Sequence, residues 1–163
     1  MVLHKRSLSK GVALTTLHHD LNARCAPQRI WELLADLESV GLYNPAVRSV
    51  AFVGAQRTGI GALRACEVQP KGRVVERVTH WEEGRAVGLE VAESDWPIHF
   101  MRWITRVEPA DGGARLTQVL EYKVKFGLLG LVLDRLVMRR KLRGALDQVL
   151  GGLIRLAEGP TEG

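Results

Sequence analysis

The C-terminal stretch Leu128–Ala157, LLGLVLDRLVMRRKLRGALDQVLGGLIRLA, decides the fold because its apolar residues return with the 3.6-residue period of an α-helix. Gly144, Gly151 and Gly152 weaken the helix locally. The pattern predicts one long amphipathic helix with a continuous apolar stripe. The residues expected on that stripe are Leu129, Val132, Leu136, Leu146, Val149, Leu150 and Leu153.

The residues before this helix show the two-residue alternation of β-strands, interrupted at intervals by turn residues. Six strand candidates follow one another, each ended by turn residues such as Gly59-Ile60-Gly61 or Asp111-Gly112-Gly113. Short breaks between strands are typical of hairpins, so these strands predict an antiparallel meander. The candidates are Arg48–Gly54, Ala62–Val68, Arg73–Trp81, Ala86–Ala92, Ile98–Val107 and Ala114–Phe126.

One further strand and two short helices are predicted before the meander. Val12–Leu21 is rich in Thr and aliphatic residues and predicts the first strand. Pro27 suits the first turn of a helix that runs from Gln28 to Leu37, because its missing N–H would be unpaired there. The expected fold class is α+β: a curved, seven-stranded antiparallel sheet around a long C-terminal helix, with two short helices after the first strand.

Length and composition indicate one globular domain. The chain has 163 residues, 46% of them hydrophobic, and a net charge of +5. We expect a flexible extension over residues 1–10, a folded domain over 11–157 and a flexible tail over 158–163. The longest apolar run, Leu128–Leu133, ends at Asp134 and is far shorter than a membrane span.

The cysteines and the N-terminal residues favour the cytoplasm. Cys25 and Cys66 are the only cysteines, and their spacing suggests neither a disulfide framework nor a zinc site. No apolar segment typical of a signal peptide follows the charged start of the chain. We therefore expect a cytoplasmic protein that uses no metal and no cofactor.

Several short motifs, in order, resemble those of the START-like superfamily, also called SRPBCC, which includes polyketide cyclases, the birch-pollen allergen and many lipid-binding proteins. The motifs are Ile30-Trp31 with Asp36 five residues on, Tyr43-Asn44-Pro45, Gly59-Ile60-Gly61-Ala62 and the hairpin Asp111–Thr117. The resemblance spans residues 11–157. It implies a helix-grip fold with a deep cavity, usually for an apolar ligand, and places Tyr43 at the cavity entrance. It implies no shared reaction, because functions on one fold differ widely.

Strand alternation predicts which side chains face such a cavity. We pair Val107 with Leu116 across one hairpin and His80 with Val87 across another, which turns Glu76 inward. Extending the ladder one strand back turns Arg64 and Cys66 inward too, and Arg64 and Glu76 could pair across their neighbouring strands. An apolar wall with a few polar groups is typical of a ligand site. The predicted ligand-binding residues are Tyr43, Arg64, Cys66, Glu76, Val78, His80, Leu89, His99, Met101, Trp103, Gln118, Leu120 and Tyr122.

Two functions fit this predicted cavity. The first is binding or transport of an apolar small molecule such as a lipid, a quinone or a polyketide. The second is a lyase-like polyketide cyclase, aromatase or dehydratase, in which Arg64 would stabilise an enolate while Glu76, His80 or His99 moves protons. Polar groups clustered at one end of the cavity would favour chemistry, whereas scattered groups would favour binding.

A third function would use the long helix itself. Arg139, Arg140, Lys141 and Arg143 form the densest basic run of the chain. They are either a solvated outer face or a contact for an anionic membrane, for RNA or for a partner protein. No DNA partner is expected, and the oligomeric state is left open.

Overall fold

A computed structural model of the protein describes residues 14–125, 132 and 134–160. Seven strands, two short helices and one long helix make up the described part of the chain. In chain order these are β1 Thr15–Ala23, α1 Pro27–Ala35, α2 Val40–Tyr43, β2 Val47–Val53, β3 Leu63–Val68, β4 Arg73–Glu82, β5 Ala86–Ser94, β6 Ile98–Ala110, β7 Gly113–Val124 and α3 Arg139–Glu158.

The strands form a single antiparallel sheet in the order β1-β7-β6-β5-β4-β3-β2. Strands β2 to β7 are joined in sequence, which confirms the predicted meander, and β1 pairs with the last strand. The predicted pairing of Val107 with Leu116 is confirmed. The α+β class, the curved seven-stranded sheet and the helix-grip arrangement are therefore confirmed.

The first helix covers one part of the sheet. Pro27 stands in its first turn, and Ile30, Trp31 and Leu34 are buried. The Trp31 ring meets the Trp81 ring of β4 edge to face at 5.3 Å, a favourable geometry for aromatic pairs. The helix ends at Ala35, two residues before the predicted end, because Asp36 leaves the helical conformation and caps the 3₁₀ turn Leu37–Ser39.

The long helix packs against the concave face of the sheet through the C-terminal part of the predicted stripe. Leu146, Leu150 and Leu153 are buried, together with Ile154 and Ala157. These side chains return every three or four residues, which is the spacing of one helix face. Among the described residues, no helix combines the length and the apolar character needed to cross a bilayer.

The prediction that Val132 and Leu136 belong to the buried stripe is wrong. Their side chains are 58% and 71% exposed. A π-helical turn over Asp134–Met138 contains Leu136 and follows Val132, and its wider turns interrupt the 3.6-residue period on which the predicted stripe depends. Leu129, the first residue of the predicted stripe, lies outside the described residues, as do the extension 1–10 and positions 161–163 of the predicted tail.

Candidate functional site

A cavity of about 200 Å³ lies between the concave face of the sheet and α3. Helix α2 and the 3₁₀ turn before it close one side of this cavity. Most of the wall is apolar. The side chains that form it include Leu34, Val40, Tyr43, Val47, Arg64, Val68, Val74, Glu76, Val87, Leu89, Val91, Trp96, Met101, Trp103, Thr105, Gln118, Leu120, Leu142, Leu146, Val149, Leu150 and Leu153.

One polar group in the wall is a buried ion pair between β3 and β4. Arg64 lies directly opposite Glu76 in the sheet register, and its Nε donates to Glu76 Oε2 at 2.7 Å. A second guanidinium nitrogen donates to the carbonyl oxygen of Leu37 at 2.8 Å. Burial opposes the charge of Arg64, but the adjacent carboxylate outweighs it and raises the pKa of the guanidinium. The predicted cross-strand pair is therefore present, and both of its members line the cavity.

Tyr43 and Cys66 adjoin this ion pair as neutral groups. Burial raises the pKa of the Tyr43 phenol, which contacts Arg64. Burial and the nearby Glu76 carboxylate raise the pKa of the Cys66 thiol to about 12. Because the thiolate is the nucleophilic form of cysteine, Cys66 is an inert, buried thiol at neutral pH.

A second polar pair, Thr105 and Gln118, lies on β6 and β7, on the other side of strand β5 from the Arg64–Glu76 pair. Gln118 Nε2 on β7 donates to Thr105 Oγ1 on β6 at 2.9 Å, and both residues are buried. The other amide atom, Oε1, has no hydrogen-bond partner among the described residues. Rotating the amide by 180° would exchange its oxygen and nitrogen, so one polar atom remains unpaired in either orientation. Buried polar atoms in proteins are normally hydrogen-bonded. Gln118 thus has one buried polar atom that is available for a hydrogen bond to a ligand.

The two polar pairs are separated rather than clustered. Glu76 lies opposite Val91 of β5, whereas Thr105 lies opposite Val87 of the same strand. The displacement along β5 is four residues (91 − 87), about 13 Å at the usual rise of a strand. The apolar side chains of Val87, Leu89 and Val91 occupy the wall between the pairs.

The prediction that His80 faces the cavity is wrong. A β-bulge at Thr79 sets two residues of β4 against one of β5, so His80 pairs with Gly88 and Trp81 pairs with Val87. The extra residue reverses the alternation beyond the bulge. His80 therefore lies on the outer face of the sheet, in a depression that it shares with Arg106.

The prediction that His99 faces the cavity is wrong for the same reason. The register between β6 and β7 shifts between Ile98 and Phe100, so that His99 is the extra residue of a second bulge. Ile98 is buried in the position expected for His99, and His99 is exposed. Both imidazoles are thus outside the cavity.

Three other predicted site residues are buried without lining the cavity. Cys66 and Val78 belong to the main core cluster, and Tyr122 belongs to a second cluster with Leu17 and Met101. The remaining predicted residues line the cavity, namely Tyr43, Arg64, Glu76, Leu89, Met101, Trp103, Gln118 and Leu120.

Several lining residues were not predicted. Val68 and Val74 lie two residues from Cys66 and Glu76, so strict alternation would have found them. Leu146 and Val149 belong to the predicted apolar stripe of the long helix, whereas Leu142 was not predicted, because no local pattern reveals how α3 is oriented on the sheet. Among the described residues, no group of three or more His, Cys, Asp or Glu side chains could hold a metal ion.

The mouth of the cavity lies between α3, α2 and the β5–β6 loop. Most lining side chains are buried. At this side Asn44, Trp96, Leu142 and Val149 are half-buried and Ala145 is exposed; Ala46, Glu76, Val91 and Trp103 are half-buried as well. Trp96 also packs over Gly72 in the β3–β4 turn, where an added Cβ would lie 3.1 Å from the indole nitrogen. These residues mark the side from which solvent or a ligand reaches the interior.

Known proteins with the same arrangement of a curved sheet and a long helix resemble this chain. The chain resembles the solved structures of Ara h 8.0201 (11% identity, TM-score 0.69, 89% of this chain and 98% of that one) and of TTHA0849 from Thermus thermophilus (19% identity, TM-score 0.73, 88% and 97%). No curated protein matches the chain by sequence. Residues 17–158 match the family described as polyketide cyclase/dehydrase and lipid transport. A match of this length, on a sheet and helix that enclose a cavity, shows that the chain belongs to the polyketide cyclase/dehydrase and lipid transport family.

Proposed function

We propose that this protein binds and carries an apolar small molecule, such as a lipid, a quinone or a polyketide, in the cavity between the sheet and α3. The observation that carries the proposal is the separation of the Arg64–Glu76 pair from the Thr105–Gln118 pair by an apolar wall. Apolar surface supplies most of the affinity in such sites, and a few placed polar atoms set the orientation of the ligand.

The polar residues have distinct roles in this proposal. The unpaired amide atom of Gln118 receives a hydroxyl or carbonyl group of the ligand, since a buried polar atom gains most from a new partner. Arg64, Glu76 and Tyr43 contact a polar group at the other end, nearer α2. Leu89, Met101, Trp103 and Leu120 contact the apolar body of the ligand.

The size of the cavity restricts the ligand. A volume of about 200 Å³ equals the liquid volume of about seven water molecules and is below the ~300–1,000 Å³ usual for drug-sized ligands. The ligand is therefore compact, or it is an extended molecule whose remainder leaves through the mouth beside Ala145 and Trp96. A cytoplasmic location is part of the proposal, supported by the free thiols of Cys25 and Cys66.

A polyketide cyclase or dehydratase activity is the second candidate, favoured by one observation. Arg64, Glu76 and Tyr43 place charge and a phenol in the same apolar wall. Proton transfer would then fall to Glu76, which is 2.7 Å from Arg64 and engaged in the ion pair. A base already held by a guanidinium is less available for catalysis, so binding is the better-supported function.

The test is native mass spectrometry of the purified chain, with organic extraction of what it carries. We expect a stoichiometric apolar adduct. Val91→Phe and Leu120→Phe fill the cavity and should reduce the adduct, whereas Val119→Phe, which faces the outer side of the sheet, should not. An apo mass, with no thermal stabilisation by lipids, quinones or aromatic polyketides, would contradict the proposal. Turnover of an extracted compound, abolished in Glu76→Gln, would establish the enzyme instead.

A further inference from the structure

Exposed aliphatic side chains lie in the π turn and just before it. Leu136 is 71% exposed, Val132 58% and Val137 41%. Leu136 and Val137 line a groove with Arg140, Lys141, Gly144, Ala145 and Gln148. We call this set, from Leu136 to Gln148, the α3 groove. Contiguous exposed apolar surface of this kind, rimmed by charge, is typical of an interaction site.

The charged side chains that line the groove are both cations, Arg140 and Lys141, and the carboxylate of Asp147, next to Gln148, contacts His19 instead. Between Arg135 and Leu146 the sequence contains five cations and no carboxylate, whereas the whole chain has a net charge of +5. Arg140, Lys141 and Arg143 are exposed, and none of them forms an ion pair with a side chain that the structure describes. Basic residues beside exposed aliphatic ones are the composition of helices that lie in the interface of anionic membranes.

The α3 groove adjoins the mouth of the cavity. Ala145 lines both the groove on the outer side of α3 and the cavity on its inner side. Leu142, one turn earlier, lines the cavity and is half-buried. A flat surface such as a membrane that contacts the α3 groove would therefore also contact the mouth of the cavity.

We propose that the α3 groove docks the protein on an anionic membrane surface, with Leu136 and Val137 at the level of the acyl chains and Arg140, Lys141 and Arg143 at the headgroups. Aliphatic side chains gain free energy in a bilayer, and each cation near an anionic surface adds about a fivefold increase in affinity. Binding to RNA is less well supported, because single strands bind through stacking on aromatic side chains and the sequence has no aromatic residue after Phe126. Docking places the cavity mouth at the membrane, where apolar ligands are held.

The experiment is flotation of the purified full chain with vesicles of phosphatidylcholine alone or of phosphatidylcholine with phosphatidylserine. We expect flotation with the anionic vesicles, weakened by high salt. The double variant Arg140→Glu/Lys141→Glu should lower binding by at least tenfold, because each change removes one attraction of about fivefold and adds repulsion. The double variant Leu136→Asp/Val137→Asp should abolish binding.

Matched controls lie at the other end of the fold. Arg155→Glu changes an exposed cation on the same helix, and Ile60→Asp changes an aliphatic side chain that is 64% exposed in the β2–β3 loop. Both should float like the wild type. Circular dichroism of all variants establishes that they are folded.

Three results would overturn the docking proposal. They are absence of flotation by the wild type, equal loss in the controls, and capture of single-stranded RNA in place of vesicles. The cavity-filling variant Leu120→Phe distinguishes a failure of membrane docking from a failure of the proposed ligand binding. It should lose the adduct and still float, so either proposal can fail without the other.

Discussion

The Cβ that any residue other than glycine would add at position 152 lies 2.2 Å from the carbonyl oxygen of Tyr43. Helix α3 therefore rests directly on the end of α2, with backbone against backbone. Tyr43 lines the cavity from that same end of α2, and Leu153 lines it from the next position of α3. One close approach thus sets the distance between two walls of the site.

Replacing Gly152 with alanine should lower the free energy of unfolding by about 1–3 kcal/mol, the usual cost of forcing an extra methyl group into a packed contact. Gly144 is the matched control, because an added Cβ there meets nothing within 4 Å. Gly144→Ala should raise stability by up to about 1 kcal/mol through helix propensity. Urea denaturation of both variants checks the prediction, which equal effects at the two positions would refute.

Breaking the Arg64–Glu76 pair should be more costly than replacing it. Glu76→Gln leaves a buried guanidinium without its carboxylate and should destabilise the fold by about 3 kcal/mol. The double variant Arg64→Met/Glu76→Leu should recover at least half of that loss, because no buried charge remains.

A surface pair provides the comparison for this ion pair. Arg102→Met removes an exposed contact with Glu121 and should change stability by less than about 1 kcal/mol. Thermal or chemical denaturation of the four proteins tests the prediction. If the double variant Arg64→Met/Glu76→Leu were as unstable as Glu76→Gln, the unpaired buried charge of Arg64 would not be the cause of the destabilisation.

The Cys66 thiol should make stability depend on alkaline pH. Its pKa in the folded protein is raised to about 12, against about 8.5 for a free thiol. Because the pKa of this thiol is higher in the folded protein than in the unfolded chain, burying the neutral thiol stabilises the fold fully at pH values below the pKa of the unfolded chain. That stabilisation is lost as the pH rises towards the pKa of the folded protein. Stability should therefore fall from about pH 8.5 upwards, with a slope from this group approaching about 1.4 kcal/mol per pH unit.

The variant Cys66→Ala isolates this effect. Its stability at pH 7 should be lower because a buried side chain is shortened, but its loss between pH 8.5 and 10 should be shallower than that of the wild type. Cys25, whose pKa is also raised, contributes equally to both proteins. The pKa of Tyr43 is raised mainly by burial and least by Cys66, so its contribution changes little in the variant. Parallel pH dependences in guanidinium denaturation would rule out the assignment to Cys66.

Gln118→Leu should separate ligand binding from folding. The change removes one hydrogen bond to Thr105 and also removes an unpaired buried polar atom, so the free energy of unfolding should change by less than about 1.5 kcal/mol. Retention of the co-purified adduct should fall several-fold, because the ligand loses its polar partner. Native mass spectrometry beside the wild type measures this, and an undiminished adduct would exclude Gln118 from the site.

Much of the fold was predictable because it rests on local regularities. Alternating side chains and turn glycines identified all six strands of the meander, and the Arg64–Glu76 pair followed from counting residues across a hairpin. The same counting failed for His80 and His99. Each lies at or beyond one extra residue in a strand, and a single extra residue moves every later side chain to the opposite face.

The sequence by itself determined the class of fold, the order of its elements and part of the apolar wall, since periods of 2 and 3.6 residues are local properties. Only the tertiary structure decided that the histidines lie outside the cavity, that the two polar pairs stand apart, and that Leu136 is exposed. Bulges and the π turn arise where strands and helix must fit one another in three dimensions. Their position depends on packing between distant segments, and no short stretch of the chain encodes it.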